Sequence, residues 1–217
     1  MLYKKNQTSS LDPKLFQNPT SEYRGTPFWA WNCKVSKEDV DRTLNALKKM
    51  GMGGAHIHSR TGMDLPYLGK EFMEMVHYSH EKSNELGMIT WLYDEDRWPS
   101  GYAGGLVTKD PAFRQRFLVF SPEELPLHEE VNAEEGGSSA RAISSGNREF
   151  LARYAIRLEN GYLTKYHRLS AEAPVPEGFE TWYLYREISG DNAWFNDEAY
   201  VDTLNPRAMD KFIEITH

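Results

Sequence analysis

Three consecutive carboxylates, Asp94, Glu95 and Asp96, stand behind the apolar run Met88-Ile89-Thr90-Trp91-Leu92. A buried strand that delivers acids at its C-terminal end has this form, and α/β enzymes build their sites there. Like charges sharing a dry site raise one pKa, which turns a carboxylic acid into a proton donor near neutral pH. The same oxygens suit calcium. The structural alternative is that one acid caps the next turn and another pairs with Arg97. Neighbours on a strand alternate faces, so only one or two of the three can line one pocket. Asp94 and Glu95 are assigned to the pocket as the candidate catalytic acids, with no role fixed on either. Asp96 is assigned to structure. The turn Trp98-Pro99-Ser100-Gly101 follows, and Trp98 offers a ring that can stack on the apolar face of a sugar.

His56 and His58 are one residue apart, so a strand points both to the same side, and Arg60 shares that direction if the strand persists. Such a trio can hydrogen-bond sugar hydroxyls and hold a carboxylate. The His-x-His pair can also bind zinc, or consist of two packed imidazoles bonded to backbone. Trp29 and Trp31 likewise share a face, with Asn32 after them. One ring can stack on a sugar beside the Asn32 amide, or both can plug the core. Asp202 closes a later apolar segment, either at a site or orienting the turn before Asn205. Cys33 has no neighbouring histidine that would make it a nucleophile.

The elements that must carry these residues read in order. Residues 1–24 form an irregular arm. Thr26–Asn32 is a short strand. Ser36 caps a helix bearing Val40, Leu44 and Leu47, which Gly51 ends. Gly53–Arg60 is a second strand, Lys70–Leu86 a helix, and Met88–Tyr93 a third strand. This is β-α-β-α-β in units of roughly 30 residues, the pattern of a parallel α/β fold. Arg116–Phe120 is a further strand. Residues 129–147 are polar and rich in Gly and Ser. Phe150–Leu158 and Tyr162–Leu169 flank Asn160-Gly161, a hairpin signal, and Thr181–Ile188 alternates in the same way. Ala199–Asp202 reads as a fourth parallel strand, and Asn205-Pro206 opens a last helix.

The expected fold is therefore α/β: the N-terminal part of a (β/α)8 TIM-like barrel with an antiparallel β insertion after the third strand. The arm spans 1–24, the first βα units 25–114, the insertion 115–190, and the fourth strand with its helix 191–217. Eight strands close such a barrel and this pattern supplies four, so the chain is expected to be part of a longer protein. The alternative is an open-sheet domain that dimerises through its edge.

The 217 residues carry 25 Lys and Arg against 32 Asp and Glu, a formal charge of −7. No basic stripe is present, which argues against nucleic acid as a partner. No apolar run is long enough to span a bilayer. The single cysteine excludes an intramolecular disulfide. The N-terminus lacks an apolar leader, which gives the cytoplasm as the expected location. Aromatics make up 13% of the chain, six of them Trp, suiting either an aromatic core or an aromatic-lined cleft.

In Pro27–Asn32, Gly53–Gly62, Tyr67–Gly69, Leu86–Met88, Tyr93–Gly105 and Val201–Pro206, taken in order, the chain resembles glycoside hydrolase family 106, the α-L-rhamnosidase-like enzymes. The Trp-Pro-Ser-Gly block with its Ala-Gly-Gly is the most specific of these pieces. The resemblance implies an inverting hydrolase of α-L-rhamnosides or related plant and algal glycans, with calcium at the sugar site. It also implies that the rest of the catalytic domain is a partner of this chain. An inverting acid and base stand about 6.5–9.5 Å apart. The family's main catalytic glutamates are expected from strands after those present here. Trp31, Asn32, His58, Arg60, Asp94 and Glu95 would then line the sugar pocket, and the isolated chain would be inactive. Two other functions fit the residues: a metal-dependent amidohydrolase-like enzyme using His56 and His58, and a non-catalytic carbohydrate-binding module.

Overall fold

The computed structural model describes residues 9–97, 100–131 and 144–217. It divides into two compact units, one ending at Gly104 and the other beginning at Gly105. No described helix is long and apolar enough to cross a membrane.

The first unit opens with a one-turn helix, α1 (Pro13–Gln17), capped by Asp12. It then builds a parallel sheet in the order β1 (Phe28–Trp31), β2 (Gly54–Ser59), β3 (Ile89–Asp96). Helix α2 (Lys37–Lys49) joins β1 to β2, and α3 (Lys70–Glu85) joins β2 to β3. Ser36 and Asp39 form a reciprocal capping box at the start of α2, with the Ser36 hydroxyl 3.2 Å from the Asp39 N–H and the Asp39 carboxylate 3.1 Å from the Ser36 N–H. Val40, Leu44 and Leu47 then fall at helical spacing on one stripe. That stripe, with Phe72 of α3, packs on Trp31, Ala55 and Ile57 of the sheet. Gly54 is required where β2 meets β3: a Cβ there would lie 1.9 Å from the Ile89 carbonyl oxygen.

The second unit is a four-stranded antiparallel sheet in the order β4 (Arg116–Ser121), β7 (Glu180–Ser189), β5 (Ser144–Glu159), β6 (Tyr162–Leu169). Asn160 and Gly161 both take positive φ between β5 and β6, as a tight hairpin turn requires. Helix α4 (Pro206–Thr216) follows, with Asn205 capping the Arg207 N–H at 3.1 Å.

This architecture corrects the expected barrel. The parallel sheet has three strands, with β1 and β3 as its edges among the described residues. After β3 the chain enters a separate antiparallel sheet, and the described residues hold four α-helices. Ala199–Asp202 is not a fourth parallel strand. Val201 makes one isolated antiparallel bridge, to Arg114. Tyr200 accepts from the Gln115 N–H, and the Asp202 N–H donates to Phe113, each at 2.8 Å. The segment looked strand-like because Ala199 and Val201 are apolar and alternate, and both are indeed buried. Their backbone partners lie in the second unit, so no parallel edge is extended.

Trp31 has no exposed surface. Replacing it with Ala should cost roughly 3–5 kcal/mol of unfolding free energy. Asn32→Ala, at the next and exposed position, should stay within about 0.5 kcal/mol. Chemical denaturation of the two variants checks the contrast.

Candidate functional site at the strand ends

The parallel register sets the site. Phe28 pairs with His56 and Ala30 with His58, while Trp29 and Trp31 pair with Ile57 and Ser59. Trp31 and Ile57 belong to the helix-covered core, so Phe28, His56 and His58 occupy the opposite face. Trp91 pairs with His56 and joins them. The His58 ring lies 4.5 Å from that of Phe28 and 4.6 Å from that of Tyr93. His56 is bonded to Thr26, Nε2 to Oγ1, at 3.0 Å.

The β2–β3 register then breaks. Ile57 opposes Leu92, but Ser59 opposes Asp96, so β3 advances by four residues while β2 advances by two. This irregularity decides what each acid does. Glu95 is carried to His58, with Oε1 2.5 Å from Nε2 and both side chains 1% exposed. Asp96 turns to the other side, where its carboxylate lies 3.0 Å from the Ser59 hydroxyl and pairs with Arg97. Burial pushes the Asp96 carboxyl above its ordinary range, opposed by the Arg97 guanidinium, the Ser59 hydroxyl and His58. Asp94 remains exposed to solvent. Arg97 adopts a left-handed φ of 70°, which costs on the order of 1 kcal/mol in a residue with a Cβ. Its N–H reaches the Ser59 carbonyl at 3.1 Å and its guanidinium holds Asp96.

The candidate residues thus separate. His58, Glu95, Asp94 and Arg60 collect at the C-terminal ends of β2 and β3. Arg60 is half-buried, its N–H bonded to the Trp31 carbonyl at 2.9 Å. Its guanidinium has no hydrogen-bond or ion-pair partner among the described residues. Asn32 is exposed at the end of β1, and its carbonyl oxygen would lie 2.7 Å from a Cβ on Gly62. Trp31 is in the core, edge-on to Trp29 and Phe72 at 5.7 Å each. With no exposed face it cannot stack on a ligand, which corrects its assignment to the sugar pocket. Asp202 lies in the second unit, paired with Arg116 at 3.0 Å and accepting from the Leu204 N–H at 3.2 Å. This is the turn-orienting alternative. Trp98 lies outside the described residues.

The sequence reading missed Phe28, Ser59, Tyr67 and Tyr93. Phe28 and Tyr93 share the alternation of His56 and His58, a signal that was present. Tyr67 comes from a loop with no such period. Its phenol is pushed up by burial and by the negative charges of Asp94, Asp96 and Glu95. A Cβ on Gly104 would lie 3.2 Å from the Tyr67 side chain, so Gly104 packs closely against this residue.

No group of three or more His, Cys, Asp or Glu side chains among the described residues could hold a metal ion. Glu95 is taken by His58, and Asp96 by Ser59 and Arg97. The arrangement suits proton chemistry and hydrogen bonding better. A buried carboxylate fixes one imidazole nitrogen, and Nδ1 of His58 is left buried with no partner among the described residues.

No family model matches the chain, and no curated protein matches it. Among solved structures, a rhamnosidase from Novosphingobium sp. PP1Y is similar over 66% of this chain, at 18% identity and a TM-score of 0.42. The chain spans 15% of that protein's length.

Two outcomes test the geometry. His58→Ala leaves Glu95 buried without its partner and should cost roughly 3–5 kcal/mol. Glu95→Gln keeps an acceptor for Nε2 and should cost less, both read by denaturant titration. Asp96 holds its proton to higher pH in the fold than in the unfolded chain. The native state therefore loses stability as pH rises from the ordinary carboxylate value of 3.8 through the raised one. Asp96→Asn should remove that decline, and melting temperatures measured across this pH range will show it.

Proposed function

We propose that the strand-end site of the first unit is a sugar site, and that the protein acts in hydrolysis of α-L-rhamnosides or related glycans. The observation that carries this reading is the buried Glu95–His58 pair beside the exposed Asp94, where parallel strands end. Open parallel sheets bind ligands outside the carboxyl ends of their strands. The resemblance of the Tyr93–Gly105 block to the family 106 glycosidases adds the substrate class.

In this reading the buried His58 holds Glu95 in place, and Asp94 is the exposed acid beside it. Arg60, Tyr67 and Asn32 supply donors for the remaining hydroxyls. Phe28 and Tyr93, 52% and 37% exposed, supply ring surface for the apolar face of the sugar. Asp94 and Glu95 are the candidate acids. An inverting reaction needs one of them, or a partner carboxylate, to protonate the leaving oxygen while another activates water.

Hydrolysis of an aryl α-L-rhamnoside by the protein as its cell makes it tests this, beside titration of the 217-residue chain with L-rhamnose by Trp fluorescence. Glu95→Gln should lower kcat by about 10²–10⁴ if Glu95 transfers the proton, and should weaken rhamnose binding less. Full hydrolysis by a folded Glu95→Gln protein would remove Glu95 from catalysis. Binding without hydrolysis would turn the reading towards a carbohydrate-binding module.

A further inference from the structure

The second unit carries an aromatic ridge that the strand-end site does not use. In spatial order across the sheet it consists of Phe120 on β4, Trp182 on β7, Tyr154 on β5 and Tyr166 on β6. Tyr154 opposes Trp182 directly, Tyr166 opposes Ile156, and Phe120 opposes Leu184. Each of these partners lies two residues from the next ring on its strand, so all four rings share one face. Ring centroids are 4.9 Å apart for Phe120–Trp182, 6.0 Å for Phe120–Tyr154 and 6.4 Å for Tyr154–Tyr166. Phe120 is 43% and Tyr166 64% exposed. The hydroxyls of Tyr154 and Tyr166 have no hydrogen-bond partner among the described residues.

Further along the same face, Leu118 opposes Arg186, and Arg116 lies two residues on from Leu118. Arg116 and Arg186 help line a cavity of about 260 Å³, together with His128, Asn147, Arg148 and Glu149. Its guanidiniums are matched by acids. Arg116 pairs with Asp202 at 3.0 Å, Arg148 with Glu129 at 2.7 Å and Glu187 at 2.8 Å, and Arg186 with Glu149. The cavity is therefore rich in donors and acceptors but carries no surplus positive charge.

We propose that this face binds a neutral glycan chain, with sugar rings lying across the ridge and hydroxyls of one unit entering the cavity. A pyranose has an apolar C–H face and a rim of hydroxyls. The ridge answers the first with rings and the second with two unbonded phenols. A polyanion needs uncompensated cations, and the four carboxylates around these three arginines remove them. The proposal stands apart from the strand-end site, since every residue in it belongs to the second unit.

Affinity electrophoresis of the whole chain tests it, in gels containing hydroxyethyl cellulose, galactomannan or polygalacturonate. Retardation is expected in at least one of the two neutral polymers. Tyr166→Ala, on an exposed edge strand where folding is not at stake, and Trp182→Ala should each weaken it about five- to tenfold. Circular dichroism confirms that the variants fold. Retardation by polygalacturonate alone, no retardation by either neutral polymer, or retardation unchanged in Tyr166→Ala would each overturn the proposal. So would a concentration-dependent dimer in light scattering that Tyr166→Ala abolishes, because the ridge would then be a contact between two copies.

Discussion

The contact between Glu95 and His58 constrains the whole of the first unit's upper edge. A carboxylate and an imidazole that have both lost water must answer each other, because neither has another way to recover the cost of burial. The contact forms only because β3 takes two more residues than β2 to reach the same level. Two is an even number, so residues keep their faces through the break while their levels shift. In an unbroken register Ser59 would meet Asp94. In the observed one it meets Asp96, Glu95 is drawn to His58, and Asp94 stays exposed. One local irregularity gives three adjacent acids three environments.

The second unit solves a similar problem in a similar way. Glu187 is buried in the antiparallel sheet, and it is held by the Arg148 guanidinium at 2.8 Å and by the Ser144 hydroxyl. Ser144 and Arg148 flank a register shift in the β5–β7 pair. The Gly146 N–H, inside that shift, also reaches the Glu187 carboxylate at 3.3 Å. In both units a buried glutamate sits where pairing slips, and at Glu187 the slip frees the Gly146 N–H from the ladder to reach the carboxylate. The two carboxylates differ in their partners. Arg148 is a permanent cation, so Glu187 is a fixed structural charge. Glu95 instead meets an imidazole where the parallel strands end.

Local signals were legible in the sequence wherever the physics is local. Ser36 and Asp39 fixed the start of α2, Asn205 and Pro206 fixed that of α4, and Asn160-Gly161 fixed the hairpin. The shared face of His56 and His58 followed from strand period alone. The register break was not legible, because nothing in Tyr93-Asp94-Glu95-Asp96 says where pairing with β2 resumes. For that reason Asp94 and Glu95, both expected in the pocket, parted, and Asp96 bonds to Ser59 and Arg97. The barrel failed for a different reason. A parallel neighbour is a long-range partner, and Ala199–Asp202 found its backbone bonds at residues 113–115 instead.

Which aromatic residues of β1 face a ligand was also beyond a strand of four residues, since Phe28 and Trp31 alternate equally well in either direction. The helices decide it. Val40, Leu44, Leu47 and Phe72 present one continuous apolar surface that must be covered, and the larger Trp pair covers it better than Phe28 and Ala30 do. Trp31 is thereby spent on the core. The face left over carries the small Ala30 opposite His58, which gives the imidazole room between the Phe28 and Tyr93 rings. The strand-end site is thus the by-product of a packing choice made on the opposite side of the sheet. Its exposed rings are Phe28 and Tyr93, with Trp91 half-buried beside His56, because the core claimed the two tryptophans of β1 first.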